Sequence, residues 1–267
     1  ERPENRRQFL AGGGEMGALI RAFDWTTTRL GEPTTWPQGL KTAVRFLLST
    51  GHPMFIWWGP ELIQFYNDAY RRSIGPERHP GALGQRGREC WDEIWPIIGP
   101  QIEMVSTTGE ATWHEDALVP IFRNGRIEDV YWTYGYSPAF DDNGDIAGVL
   151  VVTSETTKGV LATRRLKLAA RVVECTAAAA SSGAVVDAAL RCMADLPVDI
   201  PLVCTFDKSA RMGHGAGLSA DDGDVLREAL ADFLAGESAT TRRLSRPINV
   251  IATGDAVSEV FIARLGA

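Results

Sequence analysis

The chain lacks the segments that would insert it into a membrane or export it. No apolar run approaches the ~20 residues that a membrane-spanning helix needs. Residues 1–7 are mostly charged, so the start of the sequence has no apolar core of a signal peptide. We therefore expect a cytoplasmic protein without a membrane partner.

Cysteine and histidine are scarce, and their spacing does not suit a metal site. The chain has four cysteines and four histidines, and no two cysteines stand in a C-x-x-C arrangement. No two histidines are three or four positions apart, so they cannot share a metal from one helical face. The residues are Cys90, Cys175, Cys192, Cys204, His52, His79, His114 and His214. We expect no metal centre, no haem and no disulfide framework.

Positive charge is also in short supply. The formal net charge is -7. Residues 1–157 carry 14 Lys and Arg against 21 Asp and Glu, and residues 158–267 carry 13 of each sign. Proteins that bind nucleic acid contact its phosphates through a positive surface. The composition therefore predicts no nucleic-acid partner.

Patterns that carry catalysis are missing as well. Acidic neighbours such as Glu115 and Asp116 would point to opposite faces of a strand, so they cannot form an acid–base couple. The glycine-rich stretch 213–217 is not followed by the Lys-Ser/Thr of a phosphate-binding loop. No histidine lies in a phospho-acceptor motif such as His-Glu-Leu-Arg. We predict no catalytic residue and no kinase activity for this chain.

Two Asn-Gly steps, at 124–125 and 143–144, punctuate the middle of the sequence. Both residues tolerate positive φ, and the resulting turn suits a tight β-hairpin. Alternating apolar segments flank these steps, and two short apolar segments precede them. We predict strands near 54–58, 62–66, 111–122, 127–138 and 146–154, joined in part by short helices. Asn67 can cap the first of these helices, and another is expected over 88–95. The fold class is α+β, with a five-stranded antiparallel sheet and helices.

Beyond the sheet, the spacing of apolar residues becomes helical. Residues 158–180 predict one helix, and Ser182 can cap a second helix over 184–195. A third helix is expected over 221–234, with strands at 200–206, 211–218, 247–251 and 260–263. This order predicts a second, partial α/β domain.

Several short segments of residues 24–157 carry a family resemblance. They are Leu30-Gly31, Trp36-Pro37-Gln38, residues 53–60, Tyr66-Asn67-Asp68-Ala69-Tyr70, Glu93-Ile94-Trp95, residues 109–113 and Tyr136-Ser137-Pro138. This region resembles the PAS sensor domain of a group of large bacterial histidine kinases. Residues 183–267 look like the start of a GAF domain, whose closing strands we expect to be missing.

The resemblance implies a sensory fragment of a two-component signalling protein. It divides the chain into an N-terminal extension (1–23), a PAS-like domain (24–157), a connecting helix (158–182) and a GAF-like domain (183–267). A downstream kinase or other output domain would belong to the full-length protein. The fragment would detect a small molecule or a partner and would pass the signal along the helix.

Aromatic residues are concentrated in the first domain, where they can line a ligand pocket or fill the core. Our candidate pocket residues are Tyr66, Cys90, Trp91, Trp95, Trp113 and Thr133. Residues 87–90, Gly-Arg-Glu-Cys, are similar to the Gly-Arg-Asn-Cys of flavin-binding LOV domains, in which the cysteine bonds the flavin. Glu89 replaces the asparagine, and Thr133 and Tyr134 stand where amide side chains would hold the flavin ring.

We accordingly expect no cofactor. Two alternatives to the ligand sensor stay open. One is a photoreceptor or redox sensor that binds flavin or another chromophore, and the other is a dimerisation scaffold without a ligand.

The last predicted strand leads directly into the connecting helix. Glu155, Thr156 and Thr157 lie at this exit and are the candidates for signal transfer. The helix carries an apolar stripe that predicts a homodimer, with Leu161, Leu168, Val172 and Cys175 at its seam.

Overall fold

The chain divides into two units, residues 1–160 and 161–267. The computed structural model describes residues 8–195, 203–206, 212–216, 222–231, 239–249 and 256–263. The predicted strand residues 200–202, 211, 217–218 and 250–251 lie outside these ranges, as do residues 221 and 232–234 of the predicted third helix.

The first unit is built on a five-stranded antiparallel sheet. The strands of this unit, in chain order, are β1 (Met54–Trp58), β2 (Ile63–Tyr66), β3 (His114–Leu118), β4 (Ile121–Arg123), β5 (Arg126–Glu128), β6 (Tyr131–Phe140) and β7 (Ile146–Glu155). The order across the sheet is β2-β1-β7-β6-β3, so the first and last strands are neighbours, with Ile56 opposite Leu150. The predicted α+β class with five antiparallel strands is confirmed.

The predicted strand over 111–122 is divided into β3 and β4. Asp116 has a φ of 48°, and the pairing of β3 with β6 shifts between His114 and Ala117. Pro120 then separates the two strands, because it has no N–H to donate to a ladder. The Asn-Gly step at 124–125 consequently closes a small separate hairpin of β4 and β5.

The N-terminal residues pack against one face of the sheet. They form helices α1 (Gly14–Ala22) and α2 (Gln38–Ser49) and three single turns of 3-10 helix. Trp25 stacks on Phe65 with 4.5 Å between ring centroids, and Leu10 and Met16 are fully buried. The described part of the predicted N-terminal extension therefore completes the core of the first unit.

Two aspartates hold these helices against the rest of the unit. The carboxylate of Asp68 accepts hydrogen bonds from the backbone N–H groups of Glu15 (3.1 Å) and Met16 (2.9 Å), at the start of α1. Asp142 accepts from Gln38 (3.0 Å) and Gly39 (2.9 Å) at the start of α2. Each carboxylate satisfies free donors and meets the positive end of a helix dipole.

Three further helices belong to this unit, α3 (Asp68–Arg71), α4 (Gly87–Cys90) and α5 (Trp95–Thr108). The side chain of Asn67 caps α3 by accepting from Tyr70 N at 3.0 Å, as predicted. The single helix expected over 88–95 is wrong, because the backbone leaves the helical region at Trp91 (φ -125°, ψ 34°) and turns before α5 begins. Gly109, with a φ of 73°, ends α5 in the left-handed region that favours glycine.

The second unit contains helices and paired strands. Helix α6 (Thr157–Thr176) starts in the first unit and continues into the second. The other elements are α7 (Ser182–Ala194), β8 (Val203–Phe206), β9 (Met212–Ala216), α8 (Asp222–Ala231), β10 (Ala239–Asn249) and β11 (Ala256–Ala263). Strand β8 pairs with β9, and β10 pairs with β11. Ser181 caps α7, one residue earlier than predicted, by accepting from Ala184 N at 3.2 Å.

Candidate functional site

The first unit encloses a small apolar cavity between the sheet and the helices. Its volume is about 50 Å³. The walls are almost entirely aromatic and aliphatic, and they are formed by Phe55, Trp57, Tyr70, Trp91, Ile94, Ile98, Val119, Ile121, Trp132, Tyr134, Tyr136, Val151 and Thr153. Strand β7 contributes Val151 and Thr153, and the same strand runs on into α6. A molecule in this cavity would therefore contact the strand that leaves the sheet.

Few polar groups face the cavity, and those present stay neutral. Burial raises the pKa of the Tyr70 and Tyr136 hydroxyls well above the ordinary range of tyrosine. The Tyr134 hydroxyl donates to Oε1 of Gln101 at 3.0 Å, and the His114 ring stacks on Tyr134 with 4.9 Å between centroids. Such a lining suits a small apolar or weakly polar molecule and disfavours an ion.

A buried glutamine joins two tryptophans of the cavity wall, and sequence reasoning missed it. Gln64 Oε1 accepts hydrogen bonds from the indole Nε1 of Trp57 at 2.9 Å and of Trp91 at 2.7 Å. Its Nε2 donates to the carbonyl of Ala82 at 3.5 Å and approaches the sulfur of Cys90 at 3.9 Å. Its position in the middle of the apolar strand β2 could have identified it from the sequence. A polar side chain that is buried in such a strand is expected to form several hydrogen bonds.

The structure brings three of the predicted pocket residues to this region. Trp91 lines the cavity directly. Tyr66 and Cys90 are buried nearby, but they lie outside the cavity wall. Burial raises the pKa of the Cys90 thiol to about 11, so the group is a protonated thiol at neutral pH.

The other three predicted pocket residues lie elsewhere. Trp95 borders a surface groove on the outer side of α5. Trp113 is 68% exposed and stands next to Gly135 on the sheet. Thr133 sits between the cavity residues Trp132 and Tyr134, so strand alternation turns it to the opposite face. These three side chains are therefore separated from the cavity by a helix or by the sheet itself.

The cavity does not fit a flavin. Sites for ligands of that size measure roughly 300–1,000 Å³, and this cavity holds about 50 Å³. The amide of Gln64, which lies beside Cys90, already accepts from two indoles. The sequence around Cys90 is similar to that of a LOV domain. The interior beside Cys90 is nevertheless packed and leaves no space for the flavin ring system.

The residues at the exit of the sheet are tied to the β4–β5 hairpin. Arg123 forms a two-pronged ion pair with Glu155, with 2.8 Å from Nη1 to Oε2 and 2.9 Å from Nη2 to Oε1. It also donates to Glu128 at 2.8 Å and to the carbonyl of Ser73 at 2.9 Å. Hydrogen bonds from Arg123 lower the pKa of the Glu155 carboxyl, which favours the ion pair.

The two threonines that follow continue the edge of the sheet. Thr156 N donates to the carbonyl of Tyr131 at 2.8 Å, and Tyr131 N donates to the Thr157 hydroxyl at 3.0 Å. The hydroxyl of Thr156 is buried without a partner. The three predicted signal-transfer residues thus lie together where β7 becomes α6.

No residue of helix α6 is buried. Leu161, Leu168 and Val172 are half-buried, whereas Leu166 and Val173 are 72% and 68% exposed. Cys175 is exposed, and it lies within hydrogen-bonding reach of Cys192 of α7. The apolar stripe predicted for this helix is therefore partly exposed to solvent.

Two further expectations concern metals and membranes. Across the residues that the structure describes, no group of three or more His, Cys, Asp or Glu side chains could hold a metal ion. Within the same ranges, no helix combines the length and apolar character that crossing a bilayer requires.

Solved structures with a similar fold are PAS and LOV sensor domains. An RNA-binding light-oxygen-voltage receptor is 17% identical over 48% of this chain and 36% of that chain, with a TM-score of 0.37. A sensory box sensor histidine kinase from Vibrio cholerae is 12% identical over 41% of this chain and 86% of that chain, with a TM-score of 0.31. VqmA from Vibrio cholerae is 18% identical over 45% of this chain and 52% of that chain, with a TM-score of 0.35. No family model and no curated protein matches the chain.

The strand order of the first unit, with helices on both faces of the sheet, is PAS-like. The exclusion of nucleic acid made from composition is wrong, because the proteins of similar fold include an RNA-binding receptor and VqmA, a receptor described for its DNA-binding mechanism. The physical reason is that net charge does not describe a surface. The acidic first unit still gathers Arg71, Arg72, Arg123 and Lys158 around one cleft.

Proposed function

We propose that the chain is the sensory part of a signalling protein, in which occupancy of the apolar cavity biases the junction between β7 and α6. The observation that carries this proposal is the position of Val151 and Thr153. Both line the cavity, and both lie on the strand whose last residue, Glu155, is held by Arg123. The ligand class that suits the walls is a small, uncharged and mainly apolar molecule.

A signal can pass along this route only if the junction has two arrangements that the occupied cavity favours differently. The Arg123–Glu155 pair offers such a choice, because it can hold or release the end of β7 without disturbing the rest of the ladder. Helix α6 would carry the change onward to an output domain of the full-length protein, through a homodimer that buries its apolar stripe.

The wider context of this proposal follows the sequence resemblance. It makes the chain part of a cytoplasmic sensor histidine kinase, with the second unit as a GAF-like domain. The chain itself would have no kinase activity and no bound chromophore. A purified sample should be colourless, and ATP labelled in its γ-phosphate should leave no label on it.

A pair of neighbouring substitutions in β7 tests the sensing route. Val151→Phe adds side-chain volume to the cavity and imitates occupancy, whereas Val152→Phe adds the same volume on the opposite, partly exposed face. We expect Val151→Phe to change amide hydrogen exchange over residues 153–165 by at least threefold, since a kilocalorie-scale shift has an effect of that size. Val152→Phe should leave the exchange of this segment unchanged.

The readout separates sensing from simple destabilisation. Circular dichroism and tryptophan fluorescence must first show that both variants are folded. If Val151→Phe is folded and exchange over residues 153–165 equals that of the wild type, the proposed route is refuted. Native mass spectrometry of the wild-type chain provides the second arm, by detecting any small molecule that copurifies with it and is absent from Val151→Phe.

A further inference from the structure

A second cleft on the first unit has the opposite chemistry from the cavity. It is an open depression of about 690 Å³, the size of a small-molecule site. Four segments meet around it, namely the end of α3, the loop that follows α3, the β4–β5 turn and the β7–α6 junction. They contribute Arg71, Arg72, His79, Arg123, Glu155 and Lys158.

The lining of the cleft carries more basic than acidic side chains, although its domain is acidic. Its lining carries four permanent positive charges, on three arginines and a lysine, against the single carboxylate of Glu155. A concentration of one charge sign in a concave surface focuses the electrostatic field and attracts counter-ions. Residues 1–157 together carry seven more acidic than basic side chains, so this cleft is an exception within its own domain.

Two of the cations are already engaged. Arg123 is held by Glu155 and Glu128, as described above. Arg71 pairs with Glu15, and the same carboxylate contacts His79 Nε2 at 3.0 Å. The Nε of Arg71 is nevertheless buried without a hydrogen-bond partner, so one donor of this guanidinium is unused.

The other two cations of the cleft have no carboxylate partner among the residues that the structure describes. Arg72 and Lys158 are both exposed, and neither forms an ion pair with any residue that the structure describes. Arg72 follows the end of α3 and Lys158 belongs to α6, and both line the cleft. An anion that reached both would need more than one charged group, or one group with several oxygens.

We infer that this cleft binds a small multivalent oxyanion, such as a diphosphate or a tricarboxylate. Arg72 and Lys158 would supply the free charges. Glu155 would oppose the ligand, because its carboxylate lies at the cleft and occupies the two-pronged face of Arg123. An oxyanion that reached Arg123 would compete with Glu155 for the same donors. This inference does not depend on whether the apolar cavity takes a ligand.

Isothermal titration of the full chain with pyrophosphate, and separately with citrate, tests the inference at low and at physiological salt. Arg72→Gln and Lys158→Gln each remove one free charge, and we expect each to weaken binding about five- to tenfold, as loss of a partly screened charge contact does. Glu155→Gln should tighten binding at least threefold, because it removes the competing carboxylate. Arg88→Gln is the matched control, since Arg88 is an equally exposed arginine of the same unit outside the cleft. It should change binding less than twofold.

The two anions distinguish a phosphate ligand from a carboxylate ligand. Binding of pyrophosphate alone identifies a phosphate ligand, and binding of citrate alone identifies a carboxylate ligand. The inference is overturned if neither anion binds at millimolar concentration, or if Arg88→Gln weakens binding as much as Arg72→Gln does. It is also overturned if only a twelve-nucleotide single-stranded RNA binds, because the cleft would then be part of a nucleic-acid surface.

Discussion

Replacing Gln64 by leucine should destabilise the first unit more than any exposed glutamine substitution. Leucine is close to glutamine in size, so the change leaves no large cavity. It does remove the one oxygen that accepts from both Trp57 Nε1 and Trp91 Nε1. Both indoles are buried, at 1% and 3% exposure, so water cannot replace the lost acceptor without entering the core.

The magnitude follows from the two stranded donors. A buried donor that loses its partner costs about 1–3 kcal/mol. Two such donors give a loss of about 2–6 kcal/mol in the free energy of unfolding, which the greater hydrophobicity of leucine lowers to about 2–5 kcal/mol. Single domains have total stabilities of about 5–15 kcal/mol. The variant should therefore lose a large fraction of its stability and still be folded at low temperature.

Urea unfolding followed by tryptophan fluorescence measures this loss. All eight tryptophans lie between residues 25 and 132, so the signal reports the first unit alone. Gln38→Leu is the control, because Gln38 is an exposed glutamine on α2 and its replacement should change stability by less than about 0.5 kcal/mol. In the Gln64→Leu background, Trp91→Phe should cost about 1–2 kcal/mol less than in the wild type, since it removes one stranded donor.

Two results would contradict this reasoning. Equal unfolding midpoints for Gln64→Leu and Gln38→Leu would mean that the indoles find other acceptors at little cost. An equal effect of Trp91→Phe in both backgrounds would mean that Gln64 and Trp91 are not coupled.

Three further predictions concern the junction and helix α6. Arg123→Met should lower the free energy of unfolding by about 1–3 kcal/mol at pH 7. This loss lies between those expected for breaking a surface ion pair and a buried one, and urea unfolding measures it. The lowered pKa of Glu155 stabilises the folded state above the unfolded pKa of glutamate, and this stabilisation disappears as pH falls through the lowered value. Wild type should therefore lose more stability than Arg123→Met between pH 6 and acid pH, and parallel curves would contradict the ion-pair argument. Leu168→Glu should raise the dimer dissociation constant at least tenfold in sedimentation equilibrium. A wild-type chain that stays monomeric at high concentration would refute the dimer. Mild oxidation should crosslink two chains through Cys175, and Cys175→Ser should abolish the crosslink. A disulfide between Cys175 and Cys192 of the same chain would contradict this prediction, because Cys175 would then have its partner within the chain.

The sequence alone predicted the elements that depend on local chemistry. The strands at 54–58 and 146–154 were readable because alternation and apolar content act within a few residues. The turn at Asn143–Gly144 and the cap at Asn67 were readable for the same reason, since a turn or a cap is decided by neighbouring backbone groups. Pro120 was also a local signal, and it could have predicted that the expected strand over 111–122 is interrupted. Where β3 ends, however, depended on how it pairs with β6.

Only the tertiary structure decided which residues meet. Gln64 binds indoles 7 and 27 positions away in sequence, and no periodicity connects them. Thr133 was expected in the pocket, but it alternates along β6 with the cavity residues Trp132 and Tyr134 and so faces the opposite side of the sheet. Trp113, also expected there, precedes β3 and lies against Gly135 instead. The basic cleft joins α3 to the start of α6 across more than 80 residues of an acidic chain, so composition pointed away from it. Composition sums charge over the whole chain, whereas binding depends on where folding places each charge.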